Sequence, residues 1–348
     1  MASTLPQEAP EIRAKLLNWF ANNARVLPWR TGRTLYSIVV TEFMLQQTQV
    51  STALPYYDNW MRLWPDFASL ASATEEAVLK AWEGLGYYNR ARHLHQLAKE
   101  IAALPAPPQT AEAWQLFKGI GAYTAAAIAS QAFHEPVAVV DGNVIRILTR
   151  LTADETTFKD NAQAVKALTP LAQSLVDQVQ PGVFNEALME LGATLCTRRK
   201  PHCLFCPLHQ WCISGRRGDA ESFPDFLRKE IHEISLNRIV VIRDGELLLH
   251  RTPRKSRRLA NLSELPRAEE LAIDLPDSAI LFRKKRSITN SRITETVYRI
   301  PPSPAIMERA KANTDLFWIG IDQIDAIALS GPHRKWVRQI LKELRKAG

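Results

Sequence analysis

The chain has 348 residues, 46% apolar and 23% charged, which excludes a disordered polymer and exceeds what one hydrophobic core comfortably serves. No run of eighteen apolar residues marks a spanning helix, and the start, MASTLPQEAP, has neither a basic segment nor an apolar stretch of signal-peptide length, so a cytoplasmic, nucleoid-associated protein is expected. The 44 Lys and Arg against 36 Asp and Glu leave a formal charge of +8, which favours a polyanionic partner.

From residue 11 to about 212 the apolar residues recur mostly at helical spacing, with breaks at Pro55, Pro65, Pro105, Pro108 and Pro181. The spacing predicts short helices over 75–82, 88–104, 110–116, 123–133 and 161–179, an all-α half. The stretch beginning SGRRGDAESFP, rich in Gly, Ser and charge, reads as a linker over 214–235. Beyond it the period shifts towards two. Ile239–Ile242, Asp244-Gly245 and Leu247–Leu249 read as strand, hairpin turn and strand, Thr294–Ile300 as a further strand, and Pro332–Lys346 as a closing helix with Trp336, Val337, Ile340 and Leu341 on one side. The domains expected are therefore 1–213, all-α, and 236–348, α+β.

Three features in the helical half carry chemistry. Cys196, Cys203, Cys206 and Cys212 are the chain's four cysteines and crowd into one short segment; reduced thiols clustered in this way point to a metal centre before disulfides. In Lys118-Gly119-Ile120-Gly121, a Gly-x-Gly turn precedes the small-residue helix TAAAIAS. Successive backbone N–H groups there form a nest suited to one phosphate, although such a turn also serves as a plain connector. Finally, Glu42 shares a helical stripe with Ile38 and Leu45. Burial there would lift a Glu from about 4.3 to roughly 6.5 at a cost to the ionised form of about 3 kcal/mol; an exposed Glu is the plainer alternative. Asp141, in Asp141-Gly142-Asn143, reads equally well as a helix cap.

Taken in order, Leu27-Pro28-Trp29-Arg30, TEFMLQQTQV, Trp82-Glu83-Gly84-Leu85-Gly86-Tyr87-Tyr88, the Gly-x-Gly hairpin, Asp141-Gly142-Asn143 and FNEALMELG resemble the adenine-specific mismatch glycosylases (MutY type) of the helix-hairpin-helix superfamily. The resemblance implies a six-helix barrel with an iron–sulfur helical subdomain, followed by a Nudix-like α+β domain. It also implies catalysis by Glu42 and Asp141 with Tyr123 and Asn143 as orienting partners, and an adenine pocket lined by Trp29, Arg30 and Glu186. Gln47, Thr48, Leu85 and Tyr87 would fill the gap left by the flipped base, while Lys118, Gly119 and Gly121 would meet DNA phosphate. The pattern C-x6-C-x2-C-x5-C is similar to the family's [4Fe–4S] loop, with zinc the alternative.

Members of the superfamily that also cleave the strand carry a lysine two residues after the second hairpin glycine. That residue here is Tyr123, so the resemblance implies a monofunctional glycosylase, a monomer acting on duplex DNA that holds adenine opposite 8-oxoguanine or guanine. In the second domain Ser291 keeps the polar contact of an aromatic-Ser-His loop, but the neighbours are Asn290 and Arg292, preceded by the basic run Arg283 to Arg286. Nothing resembles the acidic metal helix of a working Nudix hydrolase. Two other readings remain: an endonuclease III-like glycosylase and lyase, and a non-catalytic iron–sulfur protein that binds DNA or senses redox state.

Overall fold

The computed structural model describes residues 5–227, 230–253, 262–288 and 290–347, with side chains as far as Glu343. They fall into two compact units, residues 1–72 with 93–228 and residues 73–92 with 229–348.

The first unit is helical, as the spacing predicts. Helices Ala9–Asn23, Gly142–Thr152, Asn161–Leu175 and Pro181–Thr194 close over one core that contains Leu16, Val144, Leu148, Phe158, Leu188 and Leu191. Their starts are set locally: Asp160 caps the helix that follows it by accepting Gln163 N, and Thr34 does the same for helix Leu35–Leu45 by accepting Ser37 N. Helix 35–45 is apolar nearly all round, and every residue from Tyr36 to Met44 is buried. It is a central helix rather than a surface one, and that places Glu42 inside the unit.

Much of the stretch read as a linker is ordered. Residues 213–217 are helical, Asp225–Phe226 pairs in parallel with Thr157–Phe158, and the Phe223 carbonyl accepts Arg150 Nε at 3.1 Å. Strand His232–Val240 begins before the boundary expected at 236.

The second unit is α+β. Strand His232–Val240 runs parallel to Ser291–Arg299, which pairs antiparallel with Ile280–Ile288. A second sheet centres on Glu246–Arg251, flanked by Ile242–Arg243, Ser263–Glu264 and Leu316–Gly320. Asp244 and Gly245, at φ 45° and 76°, make the expected two-residue hairpin turn. Helix Gly331–Ala347 lays Trp336, Val337, Ile340 and Leu341 on Val240, Leu247 and Val297. Residues 73–92, embedded in the helical half of the sequence, belong to this unit. Their helix Glu75–Ala81 is followed by Glu83, which Arg334 grips, and by Tyr88, whose hydroxyl donates to the Leu329 carbonyl at 3.0 Å. Leu259, Ala260 and Asn261, and Thr289 two residues before Ser291, lie outside the described residues.

Candidate active site

A cavity of about 200 Å³ in the first unit is lined by Glu42, Asp141, Tyr123 and Asn143 together with Trp29, Arg30, Thr48 and Glu186. The fold thus brings together residues from five separate segments that the sequence reading singled out.

Glu42 is 5% exposed. Burial pushes its carboxyl up to about 7, against the nearby Tyr123 hydroxyl and the Gln131 amide, which act the other way; the negative charges of Glu186 and Asp141 add to the rise. Gln131 Nε2 donates to Oε1 at 3.2 Å, while Oε2 is buried without a hydrogen-bond partner. Tyr123 donates to Met189 Sδ at 3.4 Å, and burial with the nearby Glu42 and Asp141 holds its hydroxyl well above the ordinary tyrosine range, so it stays a donor.

Asp141 is the helix cap of its plainer reading, and it also lines the cavity. It caps helix 142–152, its Oδ1 accepting Asn143 N and Val144 N at 2.8 Å each, and its Oδ2 accepts Asn143 Nδ2 at 2.8 Å. The cap therefore locks the carboxylate in one orientation at the cavity wall. Asn143 is fixed in turn by Arg146, whose Nη2 donates to Asn143 Oδ1 at 2.9 Å and to the Gly192 carbonyl at 2.7 Å, and whose Nε donates to the Cys196 carbonyl at 2.7 Å. Gly192 allows this approach, since a Cβ there would come within 2.5 Å of Asn143 Cβ.

The rest of the cavity is built on ion pairs whose carboxylates are buried and whose arginines reach towards solvent. Arg33 Nη2 reaches both oxygens of Glu186 at 2.7 Å. Glu190 accepts Arg25 Nε at 2.7 Å, Arg25 Nη2 at 2.8 Å and Arg30 Nη2 at 3.0 Å. Burial alone would raise Glu190, but the bonds from Arg25 and Arg30 outweigh it and hold the carboxyl at about 2. Trp29 is buried edge-on to Tyr57, with ring centroids 5.2 Å apart. Glu190, Arg25, Arg33 and Gln131 were not singled out from sequence. Glu190 follows Glu186 by one helical turn and Gln131 follows Tyr123 by two, so both carried a readable periodicity; the arginines come from loops and carried none.

The remaining predicted residues lie outside this cavity. Gly119, at φ 90°, is required twice over, because a Cβ would also fall 2.5 Å from the His93 ring. Lys118 is exposed, and Gly121 caps helix Ala122–Phe133. Gln47 sits exposed in a left-handed turn at φ 54° beside Thr48. In the second unit Leu85 is buried, Tyr87 is half exposed, and Ser291 opens its strand.

Cys196, Cys203, Cys206 and Cys212 surround a separate small cavity with Arg150, His202 and His209. Arg150 Nη1 donates to Cys196 Sγ at 3.3 Å and Gly215 N to Cys212 Sγ at 3.3 Å. Burial pushes the Cys206 thiol up to about 12 and raises Cys203 and Cys212 as well. Among the described residues no three His, Cys, Asp or Glu side chains converge as a site for one metal ion.

Comparison with known proteins places this geometry. Residues 40–173 match the model of the HhH-GPD superfamily base excision DNA repair protein. A protein of Buchnera aphidicola named adenine DNA glycosylase is 30% identical over 344 residues, 95% of this chain and 97% of its own. The chain belongs to the adenine DNA glycosylase family. Proteins of that name from Mus musculus and Homo sapiens are 43% and 44% identical over 65% and 62% of this chain. The chain spans under half the length of those two, 46% and 41%. Among solved structures, a thermostable thymine-DNA glycosylase superposes with a TM-score of 0.53 at 26% identity, over 62% of this chain and all of that one. A non-covalent endonuclease III–DNA complex, at 17% identity and a TM-score of 0.51 over 61% of this chain and 97% of that one, shares the fold.

Proposed function

We propose that this protein removes adenine from duplex DNA as a monofunctional glycosylase, acting where adenine lies opposite 8-oxoguanine or guanine. The observation that carries this reading is one cavity holding a buried carboxyl raised to about 7 and a second carboxylate fixed as an acceptor by three N–H groups. Hydrolysis of an N-glycosidic bond is served by such a pair, one group protonating the leaving base and the other stabilising the cationic sugar. The relatives' shared name supplies the base.

The target base must first leave the stack. Glu42 then donates its proton to adenine N7, so that the base departs neutral. The sugar that remains is oxocarbenium-like, and Asp141, held by Asn143 and the helix start, stabilises or briefly captures it before water arrives. Trp29, Arg30 and Glu186 bound the adenine pocket, and the ion pairs of Glu186 and Glu190 keep its walls rigid. Gln47, Thr48, Leu85 and Tyr87 occupy the gap in the duplex, while Lys118, Gly119 and Gly121 hold backbone phosphate. Ser291 and its neighbours read the opposite base.

The four cysteines would hold a [4Fe–4S] cluster. All four thiols line one cavity, as a cluster that gives each thiolate its own iron requires. Bound there, it would brace the loop from which the Cys196 carbonyl fixes Arg146.

Strand cleavage by β-elimination needs an amine at the sugar. The described cavity lining includes Arg25 and Arg30 but no lysine, and Tyr123 stands where the lyases carry theirs. Duplexes with adenine opposite 8-oxoguanine, guanine or thymine should release free adenine from the first two, break only after alkali, and leave no protein–DNA adduct on borohydride treatment. Adduct formation would favour the lyase reading; equal release from all three would remove the discrimination.

A further inference from the structure

We propose that Glu83 and Arg334 are positioning residues for Tyr87, so that the aromatic stacked into the duplex is aimed by the carboxy-terminal unit. This rests on the proposed function, in which Tyr87 fills the gap left by the flipped base.

Tyr87 is 50% exposed, with φ at 47°, in a turn where Gly84 and Gly86 also have positive φ, 109° and 70°. The two glycines adopt such angles freely, but a left-handed tyrosine is strained, and its surroundings must impose that conformation. Two supports are visible. Arg90, itself buried, donates to the Leu85 and Gly86 carbonyls at 3.0 and 3.2 Å and lies 5.6 Å from the Tyr87 ring centroid. At the start of the turn, Glu83 Oε1 accepts Arg334 Nε at 2.6 Å and the Leu329 N–H at 3.2 Å, and Oε2 accepts Arg334 Nη2 at 3.0 Å.

Arg334 is the better anchored partner. It also donates to the Ile324 and Ile327 carbonyls, from the helix that closes the second core. Tyr88, next to the stacking residue, donates to the Leu329 carbonyl at 3.0 Å in buried surroundings. The turn is thus fastened on both sides of Tyr87 to residues more than two hundred positions later. Both members of the pair are nearly buried, at 8% and 10% side-chain exposure. Losing Arg334 would remove two of the four described bonds to this nearly buried carboxylate and leave it Lys80 Nζ, at 2.9 Å from Oε2, and the Leu329 N–H, so the turn would have to relax to hydrate it.

The test is a double-mutant cycle on single-turnover adenine release from adenine opposite 8-oxoguanine, with melting temperature and duplex affinity recorded for each variant. Arg334→Ala alone should slow release at least tenfold with less than a threefold change in duplex affinity, and in a Tyr87→Leu background it should slow release less than twofold further. Glu83→Gln, nearly isosteric, repeats the cycle with the side-chain volume kept, and its melting temperature reports any loss of stability. Equal slowing in both backgrounds would overturn the proposal, since a general loss of stability does not depend on Tyr87. A Tyr87→Leu protein with the native rate would overturn the assignment of Tyr87 itself. A native protein that releases no adenine would overturn the function beneath both.

Discussion

Glu42→Gln is expected to slow adenine release by about 10²–10⁴-fold, the range lost with a positioned general acid, and at the same time to make the folded protein more stable above neutral pH. The two effects share one cause. Burial raises the Glu42 carboxyl from its ordinary 4.5 to about 7, so the folded state binds that proton more tightly than the unfolded chain does. The resulting stability is complete below pH 4.5 and is lost as the pH rises through 7; above that, the fold carries a buried charge. A difference of this size corresponds to about 3 kcal/mol when fully developed. Glutamine keeps the shape and still accepts the bond from Gln131 but never ionises. Denaturant unfolding at pH 8.5 should therefore show Glu42→Gln more stable than the native protein by about 1–3 kcal/mol, with no gain at pH 4.5. A variant equally stable at both pH values would mean that the native carboxylate finds solvent or a counter-charge.

Asp141→Asn should cost about 10²–10³-fold in the rate of release, as loss of a preorganised electrostatic contact does, with little change in stability. Asparagine caps helices as well as aspartate, so the bonds from Asn143 N and Val144 N can persist. Asp141→Ala should show the same loss of rate and, in addition, unfold more easily by about 0.5–2 kcal/mol because the cap is gone. The pair of variants separates the two duties of one side chain. If Asp141→Asn retained the native rate, Asp141 would be a cap alone. This comparison also tests the non-catalytic reading, under which neither Glu42 nor Asp141 affects activity.

The elements legible in the sequence are those set by neighbours along the chain. Asp141 could be seen as a cap, Asp244-Gly245 as a hairpin turn and the four cysteines as one spatial cluster, because each depends on a few nearby residues. Glu42 was legible through the apolar run around it, whose uniformity made the helix central. What escaped depends on distant partners. Arg25 and Arg33 meet Glu190 and Glu186 across more than 150 positions, and loop residues leave no period to read. The parallel pairing of strand 232–240 with 291–299 likewise has no local signature, which is why the expected linker extended too far. The membership of residues 73–92 in the second unit hangs on Arg334 and Leu329, invisible from the Gly-Leu-Gly-Tyr-Tyr turn alone.

The central claim is that Glu42 delivers the proton which releases the base, and the pH profile of single-turnover adenine release tests it most directly. With the carboxyl at about 7, the native rate should fall towards tenfold per pH unit between pH 7.5 and 9, while the residual rate of Glu42→Gln lacks that limb. A native rate that stays level or rises across this interval, or a Glu42→Gln profile that still falls with it, would contradict the account.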